Sequence, residues 1–161
     1  MGQIAVIGPA DPSEEEYEIA RTVGFLIAGN HETVVCGGLS GVMEAACRGA
    51  KEQGGLTIGI MPDTGNGNRY LDIVIRTGLG HARNALVAQS SDAVIAIGGG
   101  YGTLSEIAIA LKIKCPVFGV KTWDIEGVMK CTTPEEAVLM AVRAARLSPG
   151  YRTPRAGPLS P

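Results

Sequence analysis

The run Ile95-Ala-Ile-Gly98-Gly-Gly-Tyr-Gly-Thr103-Leu-Ser-Glu106 passes from an apolar segment through a glycine loop into a helical pattern. Such a loop leaves backbone N–H groups bare, and the helix that follows adds the positive end of its dipole. Gly98, Gly99, Gly100, Tyr101, Gly102 and Thr103 therefore read as a cradle for a phosphate or another anion, with the Glu106 carboxylate one turn into the same helix. Thr103-Leu-Ser-Glu106 also has capping-box spacing, in which the Glu turns back to the N-cap N–H. Both readings place the carboxylate at the helix mouth. Upstream, the glycine turn Thr77-Gly-Leu-Gly80 leads into His81-Ala-Arg83-Asn84. An anion pocket at a strand end would want a guanidinium there, so Arg83 is a candidate, whereas His81 reads as structural.

Two further strand ends carry unusual loops. Gly8-Pro-Ala-Asp11 follows the first apolar run, and Gly37-Gly38-Leu-Ser40-Gly41 again joins a strand to a helix. Two separate glycine loops leading into helices argue for a bound ligand, because open parallel α/β sheets bind at the carboxyl ends of their strands. The dinucleotide fingerprint GxGxxG is missing after the first strand, and no P-loop GxxxxGK appears. Those missing motifs weigh against an NAD dehydrogenase and a P-loop NTPase. No lysine stands out for a pyridoxal phosphate Schiff base.

The elements that must position these residues follow from periodicity. Short apolar runs at Gln3–Ile7, Thr33–Cys36, Leu56–Met61, Leu71–Thr77, Asp92–Ile97 and Pro116–Val120 read as strands. Helical patterns lie between them: one after the capping box Ser13-Glu-Glu-Glu16, one from about Gly41 to Gln53 with Ser40 as N-cap, then Ala82–Ser90, Thr103–Lys112 and Thr133–Arg146. Strands apolar on both faces suit a parallel sheet covered by helices. The fold class expected is therefore α/β, a doubly wound Rossmann-like parallel sheet with helices on both faces in a single domain. That domain spans residues 1–147, and the proline-rich segment 148–161 reads as a disordered tail. Asp63–Tyr70, rich in Gly and Asn, reads as a mobile loop.

Composition narrows the class. The 161 residues hold 23 glycines, placed at strand ends rather than in a periodic array. A formal charge of −2 and no basic block leave out the footprint of a nucleic-acid binder. The four cysteines, Cys36, Cys47, Cys115 and Cys131, lack metal-ligand spacing and read as reduced structural thiols, so no metal site is expected. No apolar run approaches the ~18 residues of a membrane span, and the reading is a cytoplasmic protein with no membrane partner.

Together these motifs resemble the LOG-like family within the SLOG group of Rossmann-like nucleotide-binding proteins, whose members are often labelled lysine decarboxylases. Gly98-Gly-Gly-Tyr-Gly-Thr-Leu-Ser-Glu106 resembles the family's PGGxGTxxE, with Gly98 in place of proline. Arg83 stands where the family has the arginine of an Arg-Lys pair, and Asn84 replaces the lysine. Gly37-Gly-Leu-Ser-Gly-Val-Met43 resembles GGxxGLM, with Cys36 where a first glycine is common, and Gly54–Pro62 resembles GGxVxGVIP. The resemblance covers residues from about 3 to 145, and the run 77–84 is most similar to the molybdenum-cofactor-carrier-like branch. It implies a small phosphorylated ligand, nucleotide or pterin, held by Gly8, Gly37, Gly38, Ser40, Gly41, Met43, Arg83, Asn84, Gly98 to Thr103 and Glu106. Molybdenum cofactor is then a possible bound ligand, in a carrier that does no chemistry. The alternative it implies is a nucleoside 5′-monophosphate phosphoribohydrolase. That enzyme would use Arg83 and Glu106 as catalytic residues, need no cofactor, and release base and ribose 5-phosphate. A sensory nucleotide-binding module is a third class. The resemblance also implies a homo-oligomer, a dimer or tetramer.

Overall fold

The computed structural model describes residues 1–148. The expectation for the tail lies outside them from residue 149 onward. Seven parallel strands form one sheet: β1 (Gln3–Ile7), β2 (Thr33–Cys36), β3 (Thr57–Met61), β4 (Ile73–Arg76), β5 (Ala93–Ile97), β6 (Val117–Val120) and β7 (Val128–Cys131). Their order is β4-β3-β2-β1-β5-β6-β7. The chain steps outward from β1 to β4, then returns to pair β5 with the other side of β1 in parallel. The order therefore reverses between β1 and β5, the crevice where such sheets bind ligands.

Helices cover both faces of the central strands. On one, Ile4, Val6, Val34 and Ile95 pack against α1 (Glu14–Gly29), α2 (Val42–Glu52) and α5 (Pro134–Leu147). On the other, Ala5, Ile7, Val35 and Val94 pack against α3 (Asn84–Gln89) and α4 (Tyr101–Lys112). Successive residues of a strand point to opposite faces, so β1 needs apolar side chains at every position, as its composition shows. α1 opens with the expected capping box: Ser13 Oγ accepts from the Glu16 N–H, and the Glu16 carboxylate accepts from the Ser13 N–H. α1 and α2 touch backbone to backbone. A Cβ on Gly24 would overlap the Ala46 carbonyl oxygen, and one on Gly49 the Arg21 carbonyl oxygen.

The structure differs from the sequence reading in four places. β7 has no counterpart among the six expected strands. It is a four-residue edge strand with Met129 and Lys130 exposed, so it lacks the apolar run that marks a strand covered on both faces. The expected helix from Ala82 is a 3-10 turn over Gly80–Arg83 that continues into α3. Ser40 is not the cap of α2: Gly41 holds that position at φ +69, and Ser40 Oγ donates instead to the Ala10 carbonyl. Nor is Thr103 the cap of α4. The helix begins one half-turn earlier, with Gly100 as N-cap and no side-chain hydrogen bond to it.

Candidate functional site

Arg83 is the centre of the site. It is the last residue of the 3-10 turn, and its guanidinium lies flat on Gly37, where a Cβ would overlap it. Its Nη1 donates to Asn84 Oδ1 at 2.8 Å and to Glu106 Oε1 at 3.3 Å. Asn84 Nδ2 in turn donates to Ser105 Oγ at 2.9 Å, and Ser105 Oγ donates to the Gly102 carbonyl at 2.7 Å. Asn84 thus ties the guanidinium to the first turn of α4. The Arg83–Glu106 ion pair is buried, with 7% and 9% of the two side chains exposed.

The start of α4 supplies the donors. The first helical bond runs from the Leu104 N–H to the Gly100 carbonyl, so the Tyr101, Gly102 and Thr103 N–H groups belong to the unpaired first turn of a helix with no side-chain cap. α2 also starts on a glycine without a side-chain cap. Between them lies a cavity of about 320 Å³, bounded by Gly8, Pro9, Ala10, Leu39, Met43, His81, Arg83, Asn84, Gly100, Gly102, Thr103 and Glu106. Two buried polar atoms of residues lining it, Arg83 Nε and Thr103 Oγ1, have no hydrogen-bond partner among the described residues. Leaving such atoms unpaired costs about 1–3 kcal/mol each, and an anion in the cavity would recover that cost.

Glu106 does not turn back as a cap. Its carboxylate points to Arg83, and burial pushes its pKa up to about 7, against the partial opposition of the Arg83 charge and hydrogen bond. The capping-box reading of Thr103–Glu106 is therefore corrected. A start at Tyr101 moves Glu106 past the position from which a side chain can reach the N-cap N–H.

A family model described as the SLOG cluster 4 family matches residues 1–147. The chain belongs to that family. Among solved structures it is similar to the molybdenum cofactor binding protein of the phototrophic bacterium Rippkaea orientalis. That match has 39% identity and a TM-score of 0.83, and covers 88% of this chain and 96% of that one. The molybdenum cofactor carrier protein of Chlamydomonas reinhardtii matches at 38% identity and a TM-score of 0.83, with coverage of 89% and 98%. A cytokinin riboside 5′-monophosphate phosphoribohydrolase of Mycobacterium tuberculosis is 34% identical over 110 residues, 65% of this chain and 59% of that relative. The likeness therefore places the chain in the LOG-like and SLOG group, nearest the carrier branch, with the same Rossmann-like fold.

Within this SLOG fold the residues singled out in the sequence take three kinds of position. Gly8, Met43, Arg83, Asn84, Gly100, Gly102, Thr103 and Glu106 border the one cavity. Gly37, Gly41 and Gly98 stand behind it: Gly41 packs on the Pro9 and Ala10 carbonyls, and a Cβ on Gly98 would meet Glu16, whereas Gly99 is exposed beside Trp123. Gly98 also stands at φ +63, which a proline ring forbids. The glycine found where the family pattern has proline is therefore required by the backbone path of this loop. Gly38, Ser40 and Tyr101 face elsewhere. Ser40 borders a neighbouring hollow of about 420 Å³ with Met61 and Asn68, and Tyr101 is 86% exposed. Gly38 packs on Met61.

Some residues around the candidate site were not singled out one by one in the sequence, although most of them lie in its marked loops. Pro9, Ala10 and Leu39 line the cavity because the loops after β1 and β2 meet there. His81, read as structural, is exposed at its rim. Trp123 donates from Nε1 to the Gly100 carbonyl at 3.3 Å and steadies the glycine loop from 23 residues away. Asn68, in the loop expected to be mobile, donates to the Gly38 and Leu39 carbonyls, so that loop is fastened to the rim of the site.

Proposed function

We propose that this protein binds a small phosphorylated ligand, a pterin such as molybdenum cofactor or a nucleotide, and carries it without cleaving it. The observation that carries this reading is the pair of orphaned buried donors, Arg83 Nε and Thr103 Oγ1, at the uncapped start of α4. A phosphate there would accept from the guanidinium, the Thr103 hydroxyl and the Tyr101–Thr103 N–H groups. Asn84 supports the carrier reading. It stands where the resembled enzymes have a lysine, it is neutral, and its side chain is used up in fixing Arg83. The similarity to two molybdenum cofactor proteins over almost their whole length points the same way.

Glu106 favours a second reading, nucleoside 5′-monophosphate phosphoribohydrolase. A buried carboxyl with a pKa near 7 can exchange a proton at neutral pH, and breaking an N-glycosidic bond passes through a cationic sugar that a carboxylate stabilises. In that role Glu106 would face the sugar while Arg83 and the loop hold the phosphate. The experiment that separates the readings is base release from a panel of nucleoside 5′-monophosphates, with Glu106→Gln as control, beside calorimetric binding of the same nucleotides. Binding without base release supports a binding protein, carrier or sensor, over the hydrolase, and copurified pterin or molybdenum marks the carrier. Release abolished by Glu106→Gln replaces it with the hydrolase, and neither binding nor release overturns both the hydrolase and a nucleotide as the ligand.

The proposal includes a homo-oligomer in the cytoplasm. Its support in the structure is the edge strand β4, where Ile73 and Ile75 stand exposed beside Ile58 and Ile60 of β3.

A further inference from the structure

Cys36 is the last residue of β2 and Cys47 lies in α2, and their sulfurs stand 3.5 Å apart with both residues wholly buried. A disulfide needs about 2.05 Å, so about 1.5 Å of approach closes it. The other two thiols, Cys115 and Cys131, instead sit on the backbone carbonyls of Ser91 and Met129. Cys36 Sγ also accepts from the Gly38 N–H at 3.3 Å. The hydrogen bond from Cys47, the Gly38 N–H and the nearby Arg83 charge lower the pKa of Cys36 against its burial, while the pKa of Cys47 is raised. The Gly38 N–H aimed at Cys36 Sγ would stabilise a thiolate there, which makes Cys36 the attacking sulfur.

The pair lies directly beneath the anion cradle. Gly37 follows Cys36, and the Arg83 guanidinium rests on Gly37. We propose that Cys36 and Cys47 form a reversible thiol–disulfide site, closed by a peroxide or a small disulfide, and that closing it loosens the seat of Arg83 and weakens anion binding. With a peroxide, the Cys36 sulfur attacks one oxygen, the O–O bond breaks, and a sulfenic acid and hydroxide form. Cys47 sulfur then attacks the Cys36 sulfur, the S–O bond breaks, and water leaves. Two thiols have lost two electrons and two protons, and hydrogen peroxide has become two waters. With a small disulfide, a mixed disulfide on Cys36 is resolved by Cys47 and two small thiols are released. Because both sulfurs are buried, the oxidant reaches them when the Gly37–Gly38 loop opens, and an occupied cradle slows the reaction.

The bond itself stands on geometry alone, whereas its effect on binding rests on the anion-site reading. The test treats the full-length protein with hydrogen peroxide. It then measures intact mass, a peptide map and AMP binding by calorimetry, with dithiothreitol reversal and a Cys47→Ala control. The result expected is loss of two hydrogens, a Cys36–Cys47 linked peptide, and AMP affinity lowered about tenfold, a typical coupling between linked sites. Reduction restores the affinity, and Cys47→Ala forms no link. Sulfurs left unlinked, or a linked protein that binds AMP as the reduced one does, overturns the proposal. If the reduced protein binds no AMP, AMP fails separately as a ligand of the cradle. The couple is then judged on the Glu106 carboxyl titration by NMR, where a shift between the reduced and linked forms supports it and identical curves overturn it.

Discussion

Glu106 gives the site a buried carboxyl that titrates near neutrality. Its pKa of about 7 in the folded protein stands above the ordinary 4.5, with burial as the main cause. Between those values the folded state binds more protons than the unfolded chain. Stability from this group is therefore full below about pH 4.5 and is lost as pH rises through 7. At roughly 1.4 kcal/mol per pKa unit, the loss approaches about 3 kcal/mol. Urea unfolding of wild type and Glu106→Gln at pH 5 and pH 8 should show this slope in the wild type and not in the variant; equal slopes would refute it. On the proposed function, the same proton should govern anion binding. With Glu106 neutral, the Arg83 charge is free for the ligand, whereas an ionised Glu106 competes for it. Sulfate, whose charge is constant over this range, should bind wild type several-fold more weakly at pH 8 than at pH 6 and bind Glu106→Gln equally at both. Arg83 and Glu106 were both legible in the sequence, but their partnership was not. They stand 23 positions apart in the chain, and Asn84, which ties Arg83 to Ser105 on the helix of Glu106, reads locally as the loss of a lysine.

At the scale of elements, the glycine loop before α4 is a device for leaving donors open. Gly100 has an extended backbone, and a Cβ there meets no atom within 4 Å. Gly100→Val should therefore fold with an unchanged melting temperature yet bind AMP at least ~10-fold more weakly, because the added side chain fills space meant for the ligand. Unaltered AMP affinity, measured by calorimetry, would remove the glycine loop from the binding site. Gly49 gives the contrasting case. Its Cβ would meet the backbone of α1, so Gly49→Ala should destabilise the fold by about 3 kcal/mol in urea titration. A cost below about 1 kcal/mol would mean that the two helices slide apart easily. Strand and helix identities were legible from periodicity for the central elements, because burial on both faces leaves an apolar run. β7 escaped notice because an edge strand needs no such run.

For the whole molecule, the decisive fact is where the strand order reverses. β1 and β5 are neighbours, so the loop after β1, the loop after β2 and the loop after β5 end at one crevice. An uncovered patch of Ile73 and Ile75 on edge strand β4 shares the face of Ile58 and Ile60, the α3 side of the same sheet. A partner copy there would remove it from water. Sedimentation at micromolar concentration should give a multiple of the 16.7 kDa chain mass, and Ile75→Asp should shift it toward monomer. A monomer in the wild type would refute the oligomer. Among the described residues no helix is long and apolar enough to cross a membrane.

The amino-acid sequence alone determined the fold class, the two glycine loops and the Arg83 and Glu106 candidates. Those features rest on local physics: apolar periodicity, bare N–H groups and helix starts. Only the tertiary structure decided what each candidate touches. It removed the cap reading of Glu106 and paired it with Arg83, made Asn84 an anchor, sent Ser40 and Tyr101 out of the cavity, and laid Cys36 against Cys47. The reason is that helix starts shift by a residue or two on packing, and side-chain pairing across the crevice is set by strand order, which no local pattern encodes.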